Sequence, residues 1–248
     1  MPEAMHSEYH RWYSPALGHE MELKLYGHAG QPVVVFPAQN GRWYDWEGHG
    51  GMVEACGYLL EAGRIRFICV DGVDWQSWCN QGLPPWERAR RHNDYDAYIM
   101  REVVPFLQQS LRLPLWLTGC SMGAYHAANF FFKHPEAFEG VIALSGLYQV
   151  RDFVGDEGGM DAYFNSPLWY LPNMDEALLE RYRQGKKIVF VVGQGRWEEA
   201  CLEDTRAMER VLAEKRIPAI VEYWGHDVDH DWPWWRRMLP YYLERLGV

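Results

Sequence analysis

Short apolar runs alternate with longer amphipathic stretches along almost the whole chain. The runs Met21–Tyr26, Val33–Phe36, Arg66–Asp71, Leu115–Gly119, Val141–Ser145, Lys187–Val192 and Ala219–Trp224 are rich in Val, Ile, Leu and Phe, and the middle ones show little polar alternation. A strand without a polar side is covered on both faces, which means parallel strands joined by crossover helices. The intervening stretches Gly51–Ala62, Pro85–Leu111, Met122–Lys133, Asp175–Gln184, Cys201–Lys215 and Trp234–Leu246 predict those helices. Only a turn-rich link, Ser14 to His19, separates His10–Tyr13 from Met21–Tyr26, so these two form an antiparallel hairpin at the sheet edge. The alternation predicts one α/β domain spanning the chain, with a mostly parallel sheet of about eight strands and helices on both faces. The one long irregular stretch, Tyr148–Asn173, contains Gly155, Gly158, Gly159 and Pro167 and reads as an elaborated loop or lid with room for short helices.

Into this frame falls Gly119-Cys120-Ser121-Met122-Gly123, a G-x-S-x-G sequence. The apolar run Leu115–Thr118 leads straight into it and a helical stretch opens directly after it. That strand–turn–helix setting is what a nucleophile elbow requires, with glycines where two backbones converge and a Ser left presented near a helix N-terminus. An alcohol needs a base to take its proton. Hydrolases with this elbow order their triad Ser, acid, His, the last two on loops after late strands. Four histidines follow Ser121: His126 and His134 belong to the helix after the elbow, while His226 and His230 follow the last predicted strand. The carboxylates after strand Lys187–Val192 are Glu198, Glu199, Glu203 and Asp204. Glu198 comes soonest after the strand end, and Asp204 is the alternative acid or a helix cap.

The segment His230-Asp231-Trp232-Pro233-Trp234-Trp235 resembles the histidine loop of the Putative esterase family of α/β-hydrolases. That family includes esterase D/S-formylglutathione hydrolases, enterochelin esterases, feruloyl esterases and mycolyltransferases. An uncharacterised bacterial branch of it has signatures similar to Phe36-Pro37-Ala38-Gln39-Asn40-Gly41, Gly193-Gln194-Gly195-Arg196-Trp197-Glu198 and Trp224–Trp232 of this chain. The resemblance extends over essentially the full length. It implies the α/β-hydrolase fold, a serine esterase that uses no cofactor and holds no metal, and a small-molecule ester substrate. It also implies Ser121 as nucleophile, His230 as base with His226 second, and Glu198 as acid with Asp204 second. Two backbone N–H donors are needed for the tetrahedral oxyanion. One is expected from Met122 and the other from Gln39 or Asn40, in a loop that departs from the HGGG type of lipases.

Other chemistry stays open on the residues alone. Two His and three Asp crowd into His226–Asp231, a set that would suit a metal-dependent hydrolase, although no HExxH accompanies it. The same triad serves acyl transfer in the mycolyltransferases, and a non-catalytic binding protein can use the same fold.

Composition adjusts this picture in three ways. With 24 Lys+Arg against 34 Asp+Glu, the net charge of -10 argues against nucleic acid or an anionic membrane as partner and leaves homo-oligomers open. The five cysteines are scattered, without a CxxC pair, and the first eight residues have no apolar signal core, which together predict a cytoplasmic protein. Thirteen Trp in 248 residues is a marked excess. Trp43, Trp46, Trp75, Trp78, Trp197 and Trp232 fall where strand ends are predicted, and they suggest an aromatic-walled pocket over Ser121.

Overall fold

The structure is a computed structural model, and it describes residues 5–248; residues 1–4 of the polar N-terminal stretch lie outside the described part. Eight strands form one sheet in the order β1-β2-β4-β3-β5-β6-β7-β8. β1 (Ser7–Ser14) and β2 (His19–Tyr26) make the antiparallel edge hairpin. It is longer than predicted, because β1 alternates polar and half-buried positions that an apolar count undervalues. β2 also runs antiparallel to β4 (Ile65–Val70), and from there β3 (Gln31–Phe36), β5 (Leu115–Cys120), β6 (Phe138–Leu144), β7 (Lys187–Val192) and β8 (Ile220–Tyr223) are parallel. The sheet therefore has the mostly parallel α/β-hydrolase arrangement.

Neighbouring residues of one strand serve opposite cores. Val34 and Phe36 face a layer made by α3 (Pro85–Tyr98), α4 (Val104–Ser110), α5 (Met122–Lys133), α9 (Glu176–Arg183) and α10 (Glu199–Glu214). Val33 and Val35 face α1 (Met52–Ala55), α2 (Gly57–Glu61) and α11 (Trp232–Arg245). Burial on both faces is the reason for the continuous apolar runs.

Three expected helices differ in detail. The stretch 51–62 breaks at Cys56 into α1 and α2. The long helix 85–111 passes through a π turn at Ile99–Val103, directly before Pro105, whose missing N–H removes one i→i−4 bond. α11 begins at Trp232, two residues before the expected start, because Asp231 caps it by accepting from the Trp232 N–H at 2.8 Å and Pro233 occupies its first turn. The elaborated segment 148–173 holds short helices, α6 (Arg151–Val154), α7 (Gly159–Tyr163) and α8 (Pro167–Tyr170), and a 3-10 turn at Leu171–Asn173. Each is too short for helical periodicity to register in the sequence. Among the described residues no helix is long and apolar enough to cross a membrane.

Candidate active site

Ser121 stands between β5 and α5 with φ 57° and ψ −122°, a left-handed backbone that is uncommon for a non-glycine residue and characteristic of a sharp strand–helix elbow. Both glycines of the motif are required by contact. A Cβ on Gly119 would lie 2.3 Å from the Gly123 carbonyl carbon, and one on Gly123 would lie 2.4 Å from the Phe36 oxygen. Cys120, between them, is fully buried among the residues under α11, away from the Ser121 pocket.

Ser121 Oγ is 2.9 Å from His230 Nε2, and His230 Nδ1 is 3.0 Å from Glu198 Oε2. The other Glu198 oxygen accepts from Ser145 Oγ at 2.6 Å and from the Gly193 N–H at 3.2 Å. A carboxylate with this many donors is held in one orientation, and its side chain is almost wholly buried. The acid and the histidine sit on two loops stitched together backbone to backbone. The Gly195 N–H donates to Val228 O at 2.8 Å, the His230 N–H to Arg196 O at 3.0 Å, and the Arg196 guanidinium pairs with Asp229 at 2.7 Å. A Cβ on Gly193 would lie 2.2 Å from Val228 O and one on Gly195 2.4 Å from Asp229 Oδ1, so the Gly193-Gln194-Gly195 sequence is a close-packing requirement.

Asp204, the alternative acid, lies inside α10 and neither caps it nor reaches His230. Its carboxylate accepts from the Tyr148 N–H at 2.7 Å, and burial pushes its pKa up to about 6. Ser145 reads from the sequence as a satisfied turn hydroxyl. Its partners are Glu198 and, at 3.1 Å, the Trp235 Nε1–H that it accepts. Trp235 in turn meets the His230 ring edge to face at 4.9 Å. The available signal was Ser145-Gly146 ending an apolar strand next to the elbow strand. Ser145→Ala is expected to lower kcat by about tenfold through a less ordered Glu198 and to cost about 1–3 kcal/mol, since Trp235 Nε1 loses its acceptor. Ester kinetics alongside a denaturant melt check both.

His226 is exposed and apart from this cluster. Among the described residues, the one set of three metal-type side chains in mutual reach is Glu198, Cys201 and His230, with Cys201 Sγ 3.9 Å from His230 Nδ1. The crowded 226–231 carboxylates do not converge: Asp229 is taken by Arg196 and Asp231 by the α11 N-terminus. Burial keeps the Cys201 thiol protonated by raising its pKa.

A cavity of about 200 Å³ opens over Ser121, lined by Gln39, Met122, Leu147, Phe153, Trp197, Ala200, Cys201 and His230. Met122 is the first residue of α5, where helix geometry leaves the N–H without an intrahelical acceptor. In the 38–41 loop, the Asn40 N–H donates to Asp74 Oδ2 at 3.3 Å, so of the two expected alternatives only the Gln39 N–H has no partner among the described residues.

Of the six tryptophans expected around Ser121, Trp197 lines the cavity and is 70% exposed. The rest do not line it. Trp46 and Trp78 are each 1% exposed and belong to the cores. Trp43 packs on Tyr9 and Tyr44, Trp75 beside His19, and Trp232 against His49 and Trp235. Position after a strand end could not separate these cases, because a large ring also fills the gap under a loop. Trp46→Ala and Trp78→Ala should each cost about 3–5 kcal/mol in a denaturant melt, whereas Trp197→Ala should change stability by less than about 1 kcal/mol.

A family model described as Putative esterase matches residues 14–246. A search against curated proteins gives no match. Among solved structures, a ferulic acid esterase from Anaeromyces mucronatus in complex with ferulic acid is similar at TM-score 0.72 and 11% identity, covering 98% of this chain and 92% of that one. An S-formylglutathione hydrolase from Agrobacterium tumefaciens gives TM-score 0.69 and 16% identity over 100% and 98% of the two chains. A fluorophosphonate-binding serine hydrolase from Staphylococcus aureus gives 0.70 and 17% over 96% and 98%. At these identities the likeness is one of fold.

Proposed function

The chain belongs to the Putative esterase family and is a carboxylic ester hydrolase, and from that premise we propose that Ser121, His230 and Glu198 carry the reaction through an acyl-enzyme. The observation that supports this most is the unbroken relay from Ser121 Oγ to His230 at 2.9 Å and from His230 to Glu198 at 3.0 Å. Ser121 Oγ attacks the ester carbonyl carbon as its proton passes to His230 Nε2. The carbonyl oxygen, now an anion, is met by the N–H groups of Met122 and Gln39. Glu198 holds the Nδ1–H and stabilises the imidazolium without itself taking the proton. On collapse, the C–O bond to the alcohol breaks and His230 returns the proton to the leaving oxygen. Water then attacks the acyl-Ser121 ester by the same steps and releases the carboxylic acid.

The cavity is smaller than the roughly 300–1,000 Å³ that encloses a drug-sized ligand. It suits a compact acyl group, with the remainder of the substrate lying outside against the exposed Trp197 face. The neighbours named for ferulic acid and for S-formylglutathione bracket the range worth assaying.

The test is labelling of the folded protein with a fluorophosphonate probe, followed by peptide mass spectrometry. A stoichiometric adduct on Ser121 is expected, together with turnover of p-nitrophenyl esters that falls as the acyl chain lengthens. Failure to label Ser121, with intact fold, would remove this reading.

A further inference from the structure

The loop that would supply the second oxyanion donor is gripped from both sides by carboxylates that play no part in the relay. The Ala38 N–H donates to Asp45 Oδ2 at 3.1 Å and the Asn40 N–H to Asp74 Oδ2 at 3.3 Å, while the Gly41 N–H closes the turn onto Ala38 O at 2.8 Å. The Gln39 N–H, between the two clamped amides, has no partner among the described residues, and Gln39 lines the Ser121 cavity. The turn needs this support. Asn40 has φ 56°, and a Cβ on Gly41 would lie 2.8 Å from Asp45 Oδ2.

Asp74 is itself fixed. It follows β4 in a 3-10 turn, is 1% exposed, and its second oxygen lies 2.8 Å from His126 Nε2. A carboxylate only accepts, so Nε2 carries the hydrogen, while buried His126 Nδ1 has no partner among the described residues. The His126 ring stacks on His92 at 5.3 Å and packs edge-on to Tyr95 at 5.6 Å. An acid–imidazole pair buried to this degree is costly unless every contact is held, and a helix residue directly after the nucleophile elbow is one end of it. Packing alone would have been served by an apolar pair.

Building on the oxyanion assignment above, we propose that Asp74, anchored by His126, is a positioning residue that aims the Gln39 N–H at the developing oxyanion. Asp74 touches no substrate; it holds Asn40 and through it the peptide one residue back. Its effect is therefore confined to states that carry the tetrahedral oxygen.

The experiment compares Asp74→Leu, which keeps the volume and removes the acceptor, with Asp74→Asn, which keeps an acceptor for the Asn40 N–H. Kinetics on p-nitrophenyl acetate are paired with inhibition by an aryl trifluoromethyl ketone, whose Ser121 adduct carries a tetrahedral oxyanion. Asp74→Leu is expected to lower kcat by about 10–100-fold, with KM moving less than about threefold and the ketone weakened by a factor similar to the kcat loss. Asp74→Asn is expected to recover most of the loss. Should Asp74→Leu not fold, Asp74→Glu bears the same expectation, since it keeps the charge but shifts the carboxylate by one methylene. Unchanged kcat in a folded variant, a loss carried by KM, undiminished ketone binding, or an Asn variant as impaired as the Leu variant would each overturn the proposal. If the wild-type protein neither hydrolyses the ester nor binds the ketone, the hydrolase reading fails first and takes this one with it.

Discussion

Ser121→Ala and His230→Ala are each expected to lower kcat for a p-nitrophenyl ester by at least about 10⁴-fold while the protein remains folded. The two losses should be similar, and the double variant little worse than either single one. Ser121 Oγ has one proton and one acceptor for it, His230 Nε2 at 2.9 Å, so removing either end disables the same step. Residual turnover would come from the proposed oxyanion donors, the amides of Met122 and Gln39, polarising the carbonyl for attack by water. Folding should tolerate both changes. The elbow is imposed by Gly119 and Gly123, where any Cβ collides, and not by the Ser121 hydroxyl. His230 keeps 19% of its side chain exposed, and its loss leaves Trp235 otherwise packed on the interior. Steady-state kinetics with circular-dichroism melts check the pair; a pure, folded variant within about tenfold of wild type would contradict the assignment.

The second large effect separates two carboxylates. Glu198→Gln is expected to reduce kcat by roughly 10³–10⁴-fold, whereas Asp204→Asn should stay within about threefold. A Gln at 198 keeps its oxygen on the Ser145 hydroxyl and the Gly193 N–H, where Glu198 Oε1 now accepts at 2.6 and 3.2 Å. Its amide nitrogen then faces His230 Nδ1 and donates to it. That forces the proton onto Nε2, the tautomer unable to take the Ser121 proton. Asp204 is remote from this exchange and serves the Tyr148 N–H, a bond an Asn oxygen accepts equally well. The reverse ranking in ester kinetics would reassign the acid.

Much of the architecture could be read from local pattern. Strands buried on both faces are apolar throughout, and an amphipathic helix advertises its period, so β3 to β8 and the helices packed on them were visible with ends shifted by three residues at most. The edge strand β1 was visible only over its middle, and the short helices α6 to α8 left no distinct pattern, because half-exposed or four-residue elements give little period to detect. Ser121 was legible because an elbow is a local geometry with its own glycine requirement. His230 and Glu198 emerged from order along the chain and from a family signature. The six tryptophans looked alike from their positions, yet two are core, one lines the cavity and three stand elsewhere.

What the sequence by itself determined are the properties carried by neighbours in the chain: the elbow, the strand and helix periods, and the membership of 14–246 in one family. The tertiary structure decided every property that depends on which loops meet. It brought Glu198 rather than Asp204 to His230, gave Ser145 and Trp235 their place behind that carboxylate, and occupied the Asn40 amide with Asp74, leaving the Gln39 N–H without a partner among the described residues. Hydrogen bonds reach about 3 Å and are indifferent to sequence separation. Ser121 and His230 lie 109 positions apart and His230 and Glu198 lie 32 apart, and only the folded chain brings each pair within that distance.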